Sequence, residues 1–204
     1  MSKRPETLTP LETSKFLEHV RIHSELGSRY RNGCRNYLMC LLMLDAGLRV
    51  GEVVKLDISD LVINKQPVSS LLIRKQISKS KHDRLLPLSN RIREAIVGVA
   101  ETWWSAFGAQ WSGFAFYSMT SVHHLSVRQV ERIVSRHSKA SIDREISPHV
   151  LRHTFGTRLM RQVNARIAQE LLGHKNIQTT MIYQHPNHDD LTNAIEKISK
   201  QEVP

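Results

Sequence analysis

Two arginines, two histidines, a lysine and a tyrosine stand in four short stretches of this sequence: AGLRVGE around Arg49, ISKSKHDR around Lys79, SPHVLRHTFGTR with His149 and Arg152, and LGHKNIQTTMIY with His174 and Tyr183. Singly, each has an ordinary explanation. An arginine after a glycine corner is most often a solvated helix end, lysines in a polar turn are routine, and a His and an Arg three apart share a helix face without having to share a ligand. As a set they are cationic and come without an accompanying cluster of carboxylates. That chemistry suits an anionic phosphodiester attacked without a metal ion. Guanidiniums hold nonbridging oxygens in fork geometry and stay charged at any working pH. A histidine donates to the same oxygens as negative charge grows in the transition state. A phenol with an ordinary pKa near ~10 needs such a pocket before it attacks phosphorus well, and a lysine can protonate the departing sugar oxygen. The acidic cage of Mg²⁺-dependent phosphoryl transfer is not needed here.

These residues need elements to carry them. Thr9 with Glu12 reads as a helix cap ahead of Leu11, Phe16, Leu17 and Val20, which share one face. Arg35 to Ala46 is apolar almost all round and predicts a buried central helix ending at Gly47, with a shorter helix over residues 49 to 55 beyond it. From Leu61 to Leu88, β-branched and apolar runs break at Gln66-Pro67 and again at Ser78 to Asp83, which predicts a small three-stranded antiparallel sheet. Helices are expected over Asn90 to Phe107 and Val127 to Ala140, and from Pro148, a suitable first-turn residue, to about Arg161. Shorter ones follow near 164 to 173 and 176 to 184. A last helix runs from Asn187 to Lys200, where Leu191, Ala194, Ile195 and Ile198 line one face. The fold class is therefore mainly α with a small β-sheet.

Composition bounds the partners. Lys and Arg number 29 against 19 acidic residues, a formal net charge of +10, so the surface carries a field that favours polyanions. Basic charge alone does not separate DNA, RNA and membrane surfaces, but no apolar run approaches the ~20 residues of a spanning helix and MSKRPETLTP has no apolar signal core, so a cytoplasmic protein that spans no membrane is expected. Cys34 and Cys40 lie in the apolar helix and read as reduced core thiols.

The four stretches, taken in order, resemble the tyrosine recombinases, also called lambda-integrase-type or phage integrases. The resemblance rests on GLRVGEVVKLDISDL, SKSKHDRLLPL, HVLRHTFGTRL and LLGHKNIQTTMIY, and covers the chain from about Thr9 to Ile198. It implies the catalytic-domain fold of DNA breaking-rejoining enzymes over residues 9–186, preceded by an extension over 1–8 and followed by a helix and tail over 187–204. It also implies roles. Tyr183 attacks the scissile phosphate to give a 3′-phosphotyrosyl link and a free 5′-hydroxyl. Arg49 and Arg152 bind the phosphate, His174 adds a hydrogen bond, Lys79 is the general acid, and His149 accepts or positions a proton. No cofactor is implied. The partners implied are double-stranded DNA and further copies of the chain, four protomers on two recombination sites, with accessory DNA-bending proteins as candidates. The last helix packs either in its own domain or in a neighbour's.

Ser78 and Ser80 flank Lys79 where the family commonly has glycines, and Lys81 is the alternative donor. His149 and His153 have the i, i+4 spacing of a zinc pair, but no Glu follows His149 as in HExxH and no third ligand is apparent, so His153 is expected as a hydrogen-bonded neighbour of the site. Glu52 and Asp60 are expected to orient backbone or Arg49, and the tryptophans to pack the core. Two other functions fit parts of the pattern: relaxation of supercoils by a type IB topoisomerase, and non-catalytic DNA binding that regulates another recombinase.

Overall fold

Thr9 opens the first helix, α1 (Pro10–Ile22), through a reciprocal cap: Thr9 N–H donates to Glu12 Oε2 at 2.8 Å and Glu12 N–H to Thr9 Oγ1 at 3.2 Å. The computed structural model describes residues 6–22, 28–79, 81–105, 113–117, 123–163 and 165–173. His174, Tyr183, Trp111 and the helices expected at 176–184 and from Asn187 to Lys200 lie outside the described residues.

The second helix, α2 (Ser28–Leu44), is the axis of the core. Every residue from Leu38 to Leu44 is buried, as its all-round apolar sequence demands, and α1 packs along it. Cys40 sits in that run, where burial pushes its thiol up to about 12. The chain then turns at Gly47, which has φ +64 and carries the Phe155 ring so close that a Cβ there would strike it. Two single-turn helices follow, α3 (Val50–Val53) and α4 (Ile58–Leu61).

The β region differs from the expectation of one three-stranded sheet. Four short strands, β1 (Val62–Ile63), β2 (Gln66–Pro67), β3 (Ser70–Ile73) and β4 (Arg84–Pro87), form two separate antiparallel pairs, β1 with β2 and β3 with β4. The first turn falls on Asn64 and Lys65, both at positive φ (51 and 62), as a two-residue hairpin requires, and Gln66-Pro67 is its returning strand. Pro67 has no N–H to offer a third strand. The next two residues part the ladders: Val68 N–H bonds Leu61 O in the first pair, while Ser69 O accepts from Leu88 N–H in the second.

After the strands, α5 (Asn90–Val99) starts on Ser89, whose hydroxyl accepts from Ile92 N–H, and continues as a π-helical turn over Ala100–Trp104. Trp103 and Trp104 are buried as expected. Trp104 Nε1 donates to Ala115 O at 3.0 Å, and the Arg35 guanidinium lies 4.5 Å from the Trp103 ring. Helix α6 (Val127–Ile142) is capped by Ser126 and Gln129 and packs on α1. Helix α7 (Pro148–Gln162) has its proline in the first turn and packs on α2, and α8 (Ala165–Leu172) packs on α7 and on β4. Leu8, in the expected extension, is buried, and its N–H donates to Thr154 Oγ1 of α7 at 2.9 Å. Among the described residues, no helix is long and apolar enough to cross a membrane.

Candidate active site

Arg49 is the N-cap of α3, held there by the residue three along. Glu52 Oε2 accepts from the Arg49 N–H at 2.8 Å, and Glu52 Oε1 accepts from Arg49 Nη1 at 3.2 Å. The carboxylate thus fixes both where the arginine starts and which way its guanidinium leans, as expected of Glu52. Asp60 does the same one helix later: it accepts from Asp57 N–H at 2.9 Å and from Arg74 Nη2 at 2.7 Å. Arg49 keeps a quarter of its side chain open to solvent, while Glu52 is buried.

Arg152 reaches across the molecule. From the second turn of α7 its Nη1 donates to Gly47 O, two residues before Arg49, and its Nη2 donates to Leu172 O at 2.7 Å, at the end of α8. A buried guanidinium at 3% exposure therefore ties the corner that leads into Arg49 to the corner that leads toward His174. Two of the five N–H groups of this guanidinium are thus given to backbone carbonyls.

His149 lies one turn before Arg152 on α7, at the exposed edge. Burial, then the charges of Arg152, Arg49 and Lys79, hold its imidazole below the ordinary value. The charges of three of the expected residues thus act on the ring of a fourth. Lys79 is exposed in the β3–β4 connection, and Lys81, also exposed at φ 54, does not figure among the charges acting on His149. His153 is the expected hydrogen-bonded neighbour: its Nε2 lies 2.7 Å from His149 Nε2, with the rings edge to face. Burial, with His149 and Arg152 nearby, pushes His153 down to about 4. Both rings are thus predominantly neutral near pH 7. Among the described residues, no group of three or more His, Cys, Asp or Glu side chains is placed to hold a metal ion.

The chain matches the Phage integrase family over residues 6–190. It belongs to the phage integrase family. A tyrosine recombinase of Pseudothermotoga lettingae is 32% identical over 199 residues, taking in 97% of this chain and 62% of that protein. The crystal structure of XerA recombinase is 25% identical with a TM-score of 0.72, covering 99% of this chain and 67% of that one. The structure of XerH site-specific recombinase bound to difH substrate, a pre-cleavage complex, is 24% identical with a TM-score of 0.74, covering 100% of this chain and 56% of that one, and it carries the fold alone. This phage integrase family chain spans about half to three fifths of the length of the curated relatives it matches.

Within this member of the phage integrase family, the sequence reading passed over one residue beside the site. Arg84, on β4, is 9% exposed and forks onto Glu52: Nη1 donates to Oε1 at 2.9 Å and Nη2 to Oε2 at 2.7 Å. Burial raises the Glu52 carboxyl, but the hydrogen bonds and charge of Arg84, with Arg49 behind them, leave it below the ordinary carboxylate value. A period-of-two signal was there to be read, since Arg84 and Leu86 share the inward face of the strand while Leu85 and Pro87 point out.

Proposed function

We propose that this chain is the catalytic part of a site-specific DNA recombinase that breaks and rejoins strands through a 3′-phosphotyrosyl intermediate. The observation that carries this reading is the convergence of Arg49, Lys79 and Arg152 on His149, with Arg152 also holding the α8 end that precedes His174. In the reaction, Arg49 and Arg152 grip the nonbridging oxygens of the scissile phosphate and His174 adds a third donor. Neutral His149 accepts the phenol proton of Tyr183, or orients the group that does. The phenol oxygen bonds to phosphorus, the bond to the 5′-oxygen breaks, and Lys79 Nζ delivers a proton to that oxygen as it leaves. The protein–DNA ester retains the bond energy, so a 5′-hydroxyl from a second duplex can reverse the step without ATP. Repeated on two sites by four protomers, this exchanges strands.

The test uses the full chain without metal or ATP and a pool of nicked duplexes of randomised sequence, labelled on the strand that a tyrosine would capture. The nick lets the short downstream fragment, which carries the new 5′-hydroxyl, diffuse away and traps the ester. A denaturant-resistant labelled adduct, absent in Tyr183→Phe, supports the reading. DNA binding with no adduct in the unaltered chain overturns it.

A further inference from the structure

The buried fork between Arg84 and Glu52 joins segments far apart in the chain that all lead to candidate site residues. Glu52 shares its carboxylate between two arginines: Oε2 takes the Arg49 N–H and Arg84 Nη2, while Oε1 takes Arg49 Nη1 and Arg84 Nη1. Arg84 Nη1 also lies 3.5 Å from Ser78 Oγ, the residue before Lys79, itself buried at 5% exposure. The same side chain lies against Gly173, where a Cβ would come to 3.0 Å from Arg84 Cδ and Nη1. Gly173 has φ +63 and ends α8, immediately before His174 in the sequence. One side chain thus touches the elements that deliver Arg49, Lys79 and His174.

We infer that Arg84 is a positioning residue: its guanidinium holds the α3 cap, through Glu52, at a fixed spacing from the Ser78–Lys79 turn and from the Gly173 corner. The inference rests on the recombinase reading above. Stability alone is a poor account of the arrangement. A buried ion pair is commonly replaceable by apolar side chains of similar volume without loss, and Arg84 Nε has no hydrogen-bond partner among the described residues, so the residue carries a desolvation cost. What apolar packing cannot supply is a planar fork that sets two oxygens of Glu52 while its edge lies against Ser78 and its stem against Gly173.

The test compares the unaltered chain with Glu52→Gln/Arg84→Met. Glutamine keeps an oxygen for the Arg49 N–H, and the double variant strands no buried charge while it removes the fork. Adduct formation is followed in single turnover at saturating concentration on a nicked duplex captured by the unaltered chain, with DNA affinity measured separately and folding checked by near-ultraviolet circular dichroism at the assay temperature. The double variant is expected to bind that duplex as the unaltered chain does and to form adduct on the order of 10²-fold more slowly. Arg84→Lys is the second arm, keeping the charge and most of the stem but losing the fork. It is expected to fold, to bind and to be slow. A folded double variant, or a folded Arg84→Lys chain, as fast as the unaltered chain overturns the inference while leaving the recombinase reading intact. Failure of the unaltered chain to form any adduct overturns that reading instead.

Discussion

Two arginine–carboxylate forks in this molecule have nearly the same distances and opposite surroundings. Arg84 meets Glu52 at 2.9 and 2.7 Å, with side chains only 7% and 2% exposed. Arg91, on the outer side of α5, meets Asp45 at 2.9 Å through Nε and 2.7 Å through Nη2, with side chains 46% and 15% exposed. The difference is water. At the outer fork, solvent screens the attraction and compensates either partner if the other is lost, so the pair contributes little. At the inner fork Glu52 has beside Arg84 only the longer 3.2 Å contact to the Arg49 guanidinium, and removing one partner leaves the other's charge in a medium that solvates it poorly. Distance alone does not rank these contacts; burial does.

Arg84→Met on its own should make the contrast largest. With Glu52 left charged and buried, it is expected to lose about 3–5 kcal/mol of unfolding free energy in chemical denaturation. A loss no greater than that of Arg91→Met would collapse the distinction. Gly47→Ala comes next, since its Cβ strikes the Phe155 ring and its φ is left-handed: about 1–3 kcal/mol is expected, partly recovered when Phe155→Leu makes room. Acid should reach the inner region first. The folded chain holds His153 near 4 and the unfolded chain near 6.5, so the unfolded state binds the proton more readily across that interval. Stability from this ring is complete above pH 6.5 and drains as pH falls toward 4. The melting temperature should decline over that interval and decline less in His153→Gln. Arg91→Met is expected to have the smallest effect, ~0.2–1 kcal/mol, with adduct formation unchanged.

Much of this was legible in the sequence wherever the physics is local. The Thr9–Glu12 cap, the all-apolar run of α2, the Gly47 corner and Pro148 in the first turn of α7 each follow from a few neighbouring residues, and each stands where the sequence places it. The turn at Asn64-Lys65 was missed because Gln-Pro looks like a stronger break, although Asn is among the residues that best tolerate positive φ. The ladder then divides through Val68 and Ser69, two bonds with no signature in composition. In the site, the residue types of Arg49, Lys79, His149 and Arg152 announced an anion, and Glu52 was readable as their local support. Arg84 was not picked out, because an arginine beginning a strand looks solvated until the opposite wall is known. The partners of Arg152 are backbone carbonyls, which no sequence motif specifies.

The bond from Arg152 to Gly47 O closes a span of 105 residues, and the one from Leu8 N–H to Thr154 closes 146. Loops of that length pay their closure entropy before any contact across them is rewarded. A nascent chain that has emerged only through the β3–β4 hairpin already holds Arg49 and Lys79 but has no α7 to orient them. The Arg152 tie to the corner before Arg49 therefore forms only after α7 has been made, and under the proposed function a shorter translation product would present Arg49 without the second guanidinium of the phosphate grip.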